Sequence, residues 1–374
     1  MTHDSRGDVM TFLNEVAADY PGAISLAAGR PTDTFAHRLS PAVLMDALQL
    51  FASKGDYPAG VLQYGRTAGL IHDLVAAQLR HDDGVDATPD RLVITAGCQE
   101  ALVLCLQALC RSPGDTLLVC NPTYIGGTGA ANTCGIPYAH LPSVGGSLSM
   151  RIELEATRLA SLGMRARAVY LIPDFDNPTG QVITREERCA VLKVCERQRI
   201  VVLEDNPYGQ FRYEGAQVPA MASLDGAGSV IYLSTYSKTL APAFRVGSAL
   251  LPRTLFGDAA PSTALFRDIV QRKSFLTVNT SQLNQGIVGG LLLANNASLR
   301  QWVEPVVAFY MANRAALLKA LTRELGDVEG VAWNTPEGGF FLSLNLPFPM
   351  LADDVTLCAK EFGVVVMPMN FFAS

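Results

Sequence analysis

The chain has 374 residues, 49% of them hydrophobic and 17% charged, with a formal net charge of −6. That length fits about two domains around a large core, and the acidic balance argues against a nucleic-acid-binding protein. Eight scattered cysteines without a CxxC pair predict reduced thiols in a cytoplasmic protein, five histidines lack metal-ligand spacing, and no apolar run nears the ~18 residues of a membrane span. The polar opening MTHDSRGDVM has no apolar signal-peptide core. No metal, nucleic-acid or membrane partner is expected.

In chain order, the spacing predicts a short helix over 9–18, then an extended run from Ile24 that stops at Gly29, Arg30 and Pro31. An amphipathic helix over 39–54, a Gly-broken loop over 57–66 and a helix over 70–80 follow. From residue 90 strands alternate with helices. The strands fall at 91–95, 116–120, 168–172, 200–204, 230–234 and 246–251, and the helices at 99–110, 126–134, 154–162 and 185–198. Near-continuous apolar strands in this alternation predict a mostly parallel sheet with helices on both faces, placed at 46–285. Helices over 288–294 and 303–325 and strands over 340–346 and 364–367 then suit a smaller α+β unit. Its expected companion is the N-terminal segment, so the second domain is discontinuous, 1–45 with 286–374.

Ligands of open parallel sheets bind at the carboxyl ends of the strands, so those positions carry the functional reading. The first strand runs into Gly97, Cys98 and Gln99, where a helix begins and offers free N–H groups to an anion. The second runs into Asn121-Pro122-Thr123-Tyr124, which sets an aromatic ring at the sheet edge. Asn177-Pro178-Thr179-Gly180 follows the third, and Asp205-Asn206-Pro207-Tyr208 the fourth. The fifth leads into Ser234-Thr235-Tyr236-Ser237-Lys238, with Arg245 seven residues on. A lysine leaving a buried strand is easily desolvated, which lowers its pKa and frees the amine to form a Schiff base. Thr235, Ser237 and Arg245 suit an anionic group, most simply a phosphate.

Singly, each has a plainer reading: Lys238 as a solvated surface residue, Asp205 as a helix cap, Gly97 as a turn, Tyr124 as a packing ring. Five successive strand ends that together supply an anion cradle, a flat ring, polar groups, a carboxylate and an amine favour one site.

This set resembles the fold-type I pyridoxal-phosphate enzymes, and within them the class I/II aminotransferases of the aminoadipate, kynurenine and MocR-like branch. The matching motifs are AGCQEAL at 96–102, NPTY at 121–124, DNPTG at 176–180, EDNPYGQFRYEG at 204–215 and STYSKTLAPAFRVG at 234–247. The resemblance implies a seven-stranded sheet and pyridoxal 5'-phosphate as cofactor. It also implies a ping-pong transfer of the amino group from an amino acid to a 2-oxo acid. Lys238 would be the covalent anchor and proton carrier, Asp205 the partner of the ring nitrogen, and Asn177 and Tyr208 the partners of the ring oxygen. Tyr124 would stack on the ring. The N–H groups of Cys98 and Gln99, the hydroxyls of Thr235 and Ser237, and Arg245 would hold the phosphate. Tyr64 resembles a tyrosine that reaches the phosphate of a second subunit, which implies a homodimer. Gly29 resembles a loop glycine beside the substrate carboxylate, and Arg30, His37 and Arg38 fall in the region expected to set specificity.

Three departures are mild: Ala243 stands for Gly, Thr235 for Ser and Cys98 for Ser. A larger one is that the family's carboxylate-binding arginine segment would lie beyond Ser374, which implies a further tail or a role for Arg30. Other chemistries on the same scaffold, a decarboxylase, cyclase or oxidase, would share Lys238, Asp205 and Asn177. A ligand-sensing module is disfavoured because no basic DNA-binding segment precedes residue 20. A dehydrogenase is disfavoured because Gly126-Gly127-Thr128-Gly129 lacks the GxGxxG spacing.

Overall fold

Seven segments pair into one sheet: β1 (Leu92–Thr95), β2 (Asp115–Val119), β3 (Tyr138–His140), β4 (Arg165–Leu171), β5 (Val201–Asp205), β6 (Val230–Thr235) and β7 (Gly247–Leu250). The computed structural model describes residues 12, 15, 16, 18–27, 29, 31–54 and 61–373. Across the sheet the order is β1-β7-β6-β5-β4-β2-β3, and only β7 runs antiparallel to its neighbours. Every residue of β1, β2, β5 and β7 is buried, as a sheet covered on both faces requires.

Alternate residues of the strands feed two layers. Tyr170, Leu203 and Leu233 pack with Leu102 and Leu106 of helix Cys98–Leu109 and Ile269 of helix Ala259–Leu276. Val169 and Val202 pack on the other face with Ile152 of helix Leu148–Ser161 and Val191 of helix Arg185–Gln198. A third cluster joins Leu92, Tyr232 and Leu250 to Phe51 of helix Pro41–Ser53 and Leu291 of helix Gln282–Ala294.

Several elements depart from the spacing, an unexpected helix Ala352–Phe362 among them. β3 is a half-buried edge strand of three residues after Pro137, too short and too polar to stand out as an apolar run. Helix Ala259–Leu276 is absent from the helices that the spacing predicts. Its proline falls in the first turn, where no N–H is needed, and Asp258 caps the N-terminus by accepting from the Ala260 N–H. The strand expected over 340–346 shrinks to Leu344–Asn345, paired with Ala332–Trp333, so Phe340 and Phe341 lie outside the ladder.

Val364–Val365 pairs in parallel with Ile24–Ser25, which brings the two ends of the chain together. Most of the expected helix over 9–18 lies outside the described residues; Phe12, Glu15, Val16, Ala18 and Asp19 are helical. No described helix is long and apolar enough to cross a membrane.

Candidate active site

The carboxyl ends of β1, β4, β5 and β6 converge on one side of the sheet. β5 ends at Asp205, which is buried. Tyr170 of the neighbouring β4 donates its hydroxyl to Asp205 Oδ2 at 2.6 Å, and the Cys98 thiol donates to Oδ1 at 3.1 Å. Burial pushes the Asp205 carboxyl up, while these two hydrogen bonds and the nearby Lys238 charge act the other way.

β6 ends at Thr235, and the turn after it carries Lys238. The Lys238 Nζ donates to the Gly29 carbonyl at 3.0 Å and lies 5.8 Å from the centre of the Tyr208 ring and 6.0 Å from that of Phe340. Burial lowers the Lys238 pKa to about 8, against the opposing pull of Asp205. An amine so placed holds a neutral fraction near neutral pH that an exposed lysine lacks.

The anion cradle is built on glycine. Gly97 has φ +78° and ψ 172°, a conformation open essentially to glycine alone, and it turns the chain from β1 into helix Cys98–Leu109. A Cβ at Gly97 would fall 2.5 Å from Arg245 Nη2, and one at Gly247 would fall 2.9 Å from the Cys98 N. Arg245, itself at φ +48°, donates from Nη1 to Ser237 Oγ at 3.3 Å and from Nη2 to the Ala96 carbonyl at 3.3 Å. Thr235 Oγ1 donates to Ser237 Oγ at 3.0 Å. Two hydroxyls, a guanidinium and the free N–H groups of a helix's first turn therefore share one place.

Tyr124 opens helix Ile125–Thr133, and its ring lies against Gly126, where a Cβ would come within 2.2 Å. Gln99 Nε2 ties the two helix starts together by donating to the Gly126 carbonyl at 2.9 Å. Burial and the negative charge of Asp205 push the Tyr124 phenol up to about 12. The buried Tyr208 phenol is also raised, and a hydrogen bond with Asn177 partly opposes this. Asn177 Oδ1 is buried without a hydrogen-bond partner.

The structure thus brings together Gly29, Gly97, Cys98, Gln99, Tyr124, Asn177, Asp205, Tyr208, Thr235, Ser237, Lys238 and Arg245. Tyr64 stands apart with its residue 84% exposed, and Arg30 lies outside the described residues. The His37 ring nitrogen sits 3.2 Å from the Thr34 carbonyl. Arg38 stacks on Trp302 at 4.2 Å and donates to its carbonyl at 2.6 Å, so its guanidinium is committed to the fold.

Two features of the site were not anticipated. Tyr170 is the one signal the sequence held, since a phenol in an aliphatic strand needs a buried partner. The second is an aromatic wall: Phe340 packs on Tyr208 (5.4 Å between centres), Tyr310 (4.5 Å) and Phe211 (4.9 Å), and Phe341 on Tyr208 (5.5 Å). Its members come from three distant segments, and no local pattern links them.

The donor set fits a phosphorylated aromatic ring that carries a carbonyl group and a ring nitrogen. The orphaned Asn177 oxygen and the space kept by Gly97 are what such a ligand would use. Among the described residues, no group of three or more His, Cys, Asp or Glu could hold a metal ion.

The model of the family described as aminotransferase class I and II matches residues 21–374. The (S)-3,5-dihydroxyphenylglycine transaminase of Amycolatopsis orientalis is 36% identical, over 97% of this chain and 83% of that protein. Aromatic-amino-acid aminotransferase 1 of Thermococcus litoralis is 30% identical, over 93% of this chain and 80% of that one. Among solved structures, the kynurenine aminotransferase of Pyrococcus horikoshii superposes with a TM-score of 0.83 at 29% identity, covering 98% of this chain and 86% of that one.

Proposed function

The chain belongs to the aminotransferase class I and II family, and we propose that it takes the amino group from an amino acid with an aromatic side chain and passes it to a 2-oxo acid, with Lys238 moving the proton. It is a pyridoxal-phosphate-dependent aminotransferase. In this reading the N–H groups of Cys98 and Gln99, the hydroxyls of Thr235 and Ser237, and Arg245 hold the phosphate. Asp205 pairs with the ring nitrogen, Asn177 and Tyr208 with the ring oxygen, Tyr124 covers the ring face, and Lys238 takes the carbonyl carbon. When bound, the cofactor supplies an electron sink that acidifies the α-hydrogen of the amino acid.

The chain's own residues do the rest. Lys238 Nζ, part neutral near pH 8, takes a proton and returns it, and the Gly29 carbonyl keeps the amine aimed inward. Tyr208, Phe340 and Phe341 close the side of the site toward the small unit and limit water around that amine.

One observation carries the substrate class: the half-buried ring of Phe340 lies 6.0 Å from Lys238 Nζ and is backed by Tyr310 and the fully buried Phe211. An aromatic side chain gains edge-to-face contacts there, of about 0.5–1.5 kcal/mol per ring pair beyond area burial. Two relatives are named for aromatic substrates, which supports the reading.

The same reading makes the protein a cytoplasmic homodimer with Tyr64 reaching the partner's cofactor. It also divides the chain into units 46–285 and 1–45 with 286–374, although helix Gln282–Ala294 spans that boundary and packs on helix Pro41–Ser53.

The test adds single amino acids to the purified, cofactor-loaded protein and follows the cofactor's absorption. Phenylalanine or an arylglycine should shift the spectrum at least about tenfold faster than glutamate or 2-aminoadipate, and a 2-oxo acid should reverse the shift. A series led by the acidic donors overturns the aromatic reading.

A further inference from the structure

We propose that Cys98 is a positioning residue for Asp205, and that through it the phosphate end of the site fixes the carboxylate at the ring-nitrogen end. The inference rests on the reading of Asp205 as the partner of the ring nitrogen.

The geometry is specific. Asp205 is buried at the end of β5, where a carboxylate needs donors to both of its oxygens. Tyr170 serves Oδ2 at 2.6 Å, and the thiol of Cys98 serves Oδ1 at 3.1 Å. These donors come from different elements: Tyr170 from the strand next to β5, and Cys98 from the first residue of the helix after Gly97. Each carboxylate oxygen is thereby held by its own donor.

Cys98 has a second job at the same place. Its N–H belongs to the helix start in the anion cradle, and its backbone is clamped by Gly247, where no side chain would fit. One short residue with a single side-chain torsion therefore spans both ends of the site. Loss of the thiol would free Asp205 to rotate about the Tyr170 bond.

A cysteine at a helix N-terminus commonly has a lowered pKa and becomes reactive. Here burial and the adjacent Asp205 charge raise the thiol instead. It stays protonated, and a protonated thiol donates. It donates more weakly than a hydroxyl would, so a serine at this position should hold Asp205 at least as firmly.

The experiment uses Cys98→Ser, Cys98→Ala and Asp205→Asn in the holoprotein. Two quantities besides activity are measured: the dissociation constant for pyridoxal phosphate, by absorbance titration, and the pH midpoint of the bound cofactor's visible band. Cys98→Ala should raise the dissociation constant about fivefold, the scale of one buried hydrogen bond. It should also move the midpoint upward by about half a unit, because a less firmly ionised Asp205 leaves the ring less positive, and the imine nitrogen at Lys238 then keeps its proton to higher pH. Cys98→Ser should leave both within about twofold and ~0.2 unit of the parent.

If Cys98→Ala lowers only the melting temperature and leaves both readouts at parental values while Asp205→Asn moves them, the thiol is structural and the proposal fails. If Asp205→Asn moves neither, the reading of Asp205 fails and takes the proposal with it. Should Cys98→Ala not fold, Cys98→Val, close in shape and without a donor, carries the same test.

Discussion

At Gly97 one atom decides whether the site exists. Its φ of +78° and ψ of 172° are strained for any L side chain, and the missing Cβ is the space in which Arg245 lies, 2.5 Å from where that atom would be. Gly97→Ala should therefore cost roughly 1–3 kcal/mol of folding stability through the backbone. It should also displace the guanidinium and weaken cofactor binding at least about tenfold, well beyond what the stability loss alone implies. Equilibrium dialysis against pyridoxal phosphate, alongside urea unfolding, separates the two effects. A variant that binds as tightly as the parent would remove Arg245 from the phosphate site.

At this scale the residues gathered around Lys238 and Asp205 could be collected from the sequence, and the aromatic wall could not. Lys238, Asp205 and Gly97 each sit within two or three residues of a strand end, so local pattern and the strand-end rule suffice to collect them. Phe340, Tyr310 and Phe211 meet only because the chain returns from distant segments. Arg38 illustrates the converse, since its position near the site says nothing of the Trp302 ring that engages it.

Helix Ala259–Leu276 shows how a whole element can be silent in sequence and yet support the site. Its Lys273 is fully buried and reaches Glu100 Oε2 at 2.8 Å, and Thr277, just past the helix end, donates to Oε1 at 2.6 Å. Glu100 accepts in turn from the Ala96 N–H at 2.6 Å, which pins the loop carrying Gly97 and Cys98. An apolar-periodicity test misses such a helix because one of its anchoring residues is a charge, and a buried lysine counts as polar. Strands of the large sheet fared better, since their buried runs are nearly continuous; the short edge strand β3 is the exception there.

The pair makes a measurable claim. Lys273→Met leaves Glu100 buried without its cation and should cost about 3–5 kcal/mol, read as a lower urea midpoint. Adding Glu100→Met should recover a good part of that stability, but not cofactor affinity, because the Ala96 N–H has then lost its acceptor. Recovery of both would mean that Glu100 contributes charge balance only and does not hold the cradle.

Among the described residues, several large apolar side chains are exposed on neighbouring segments. Leu62 is 87% exposed, Tyr64 84% and Phe275 85%, with Leu276 and Val278 beside Phe275 also exposed. The 62–65 loop rests on the start of helix Gln282–Ala294, since a Cβ at Gly65 would lie 1.8 Å from Gln282 Nε2, so it adjoins the 275–283 segment. Exposed apolar side chains on adjoining segments are of the kind a partner covers, and a stable partner would bury about 800 Å² on each side. In the proposed homodimer the cover is the same patch of a second chain, and Tyr64 is carried across with it. Sedimentation of the parent protein at micromolar concentration should then give twice the 40.0 kDa of one chain. Phe275→Asp should shift it to one chain, because a carboxylate would be desolvated at the centre of the patch. Tyr64→Phe should leave the mass unchanged while raising the dissociation constant for pyridoxal phosphate about ten- to hundredfold, the effect of losing one hydrogen bond to a charged group. A parent protein that sediments as a single chain and still binds the cofactor tightly would sink the dimer, and with it any role for Tyr64.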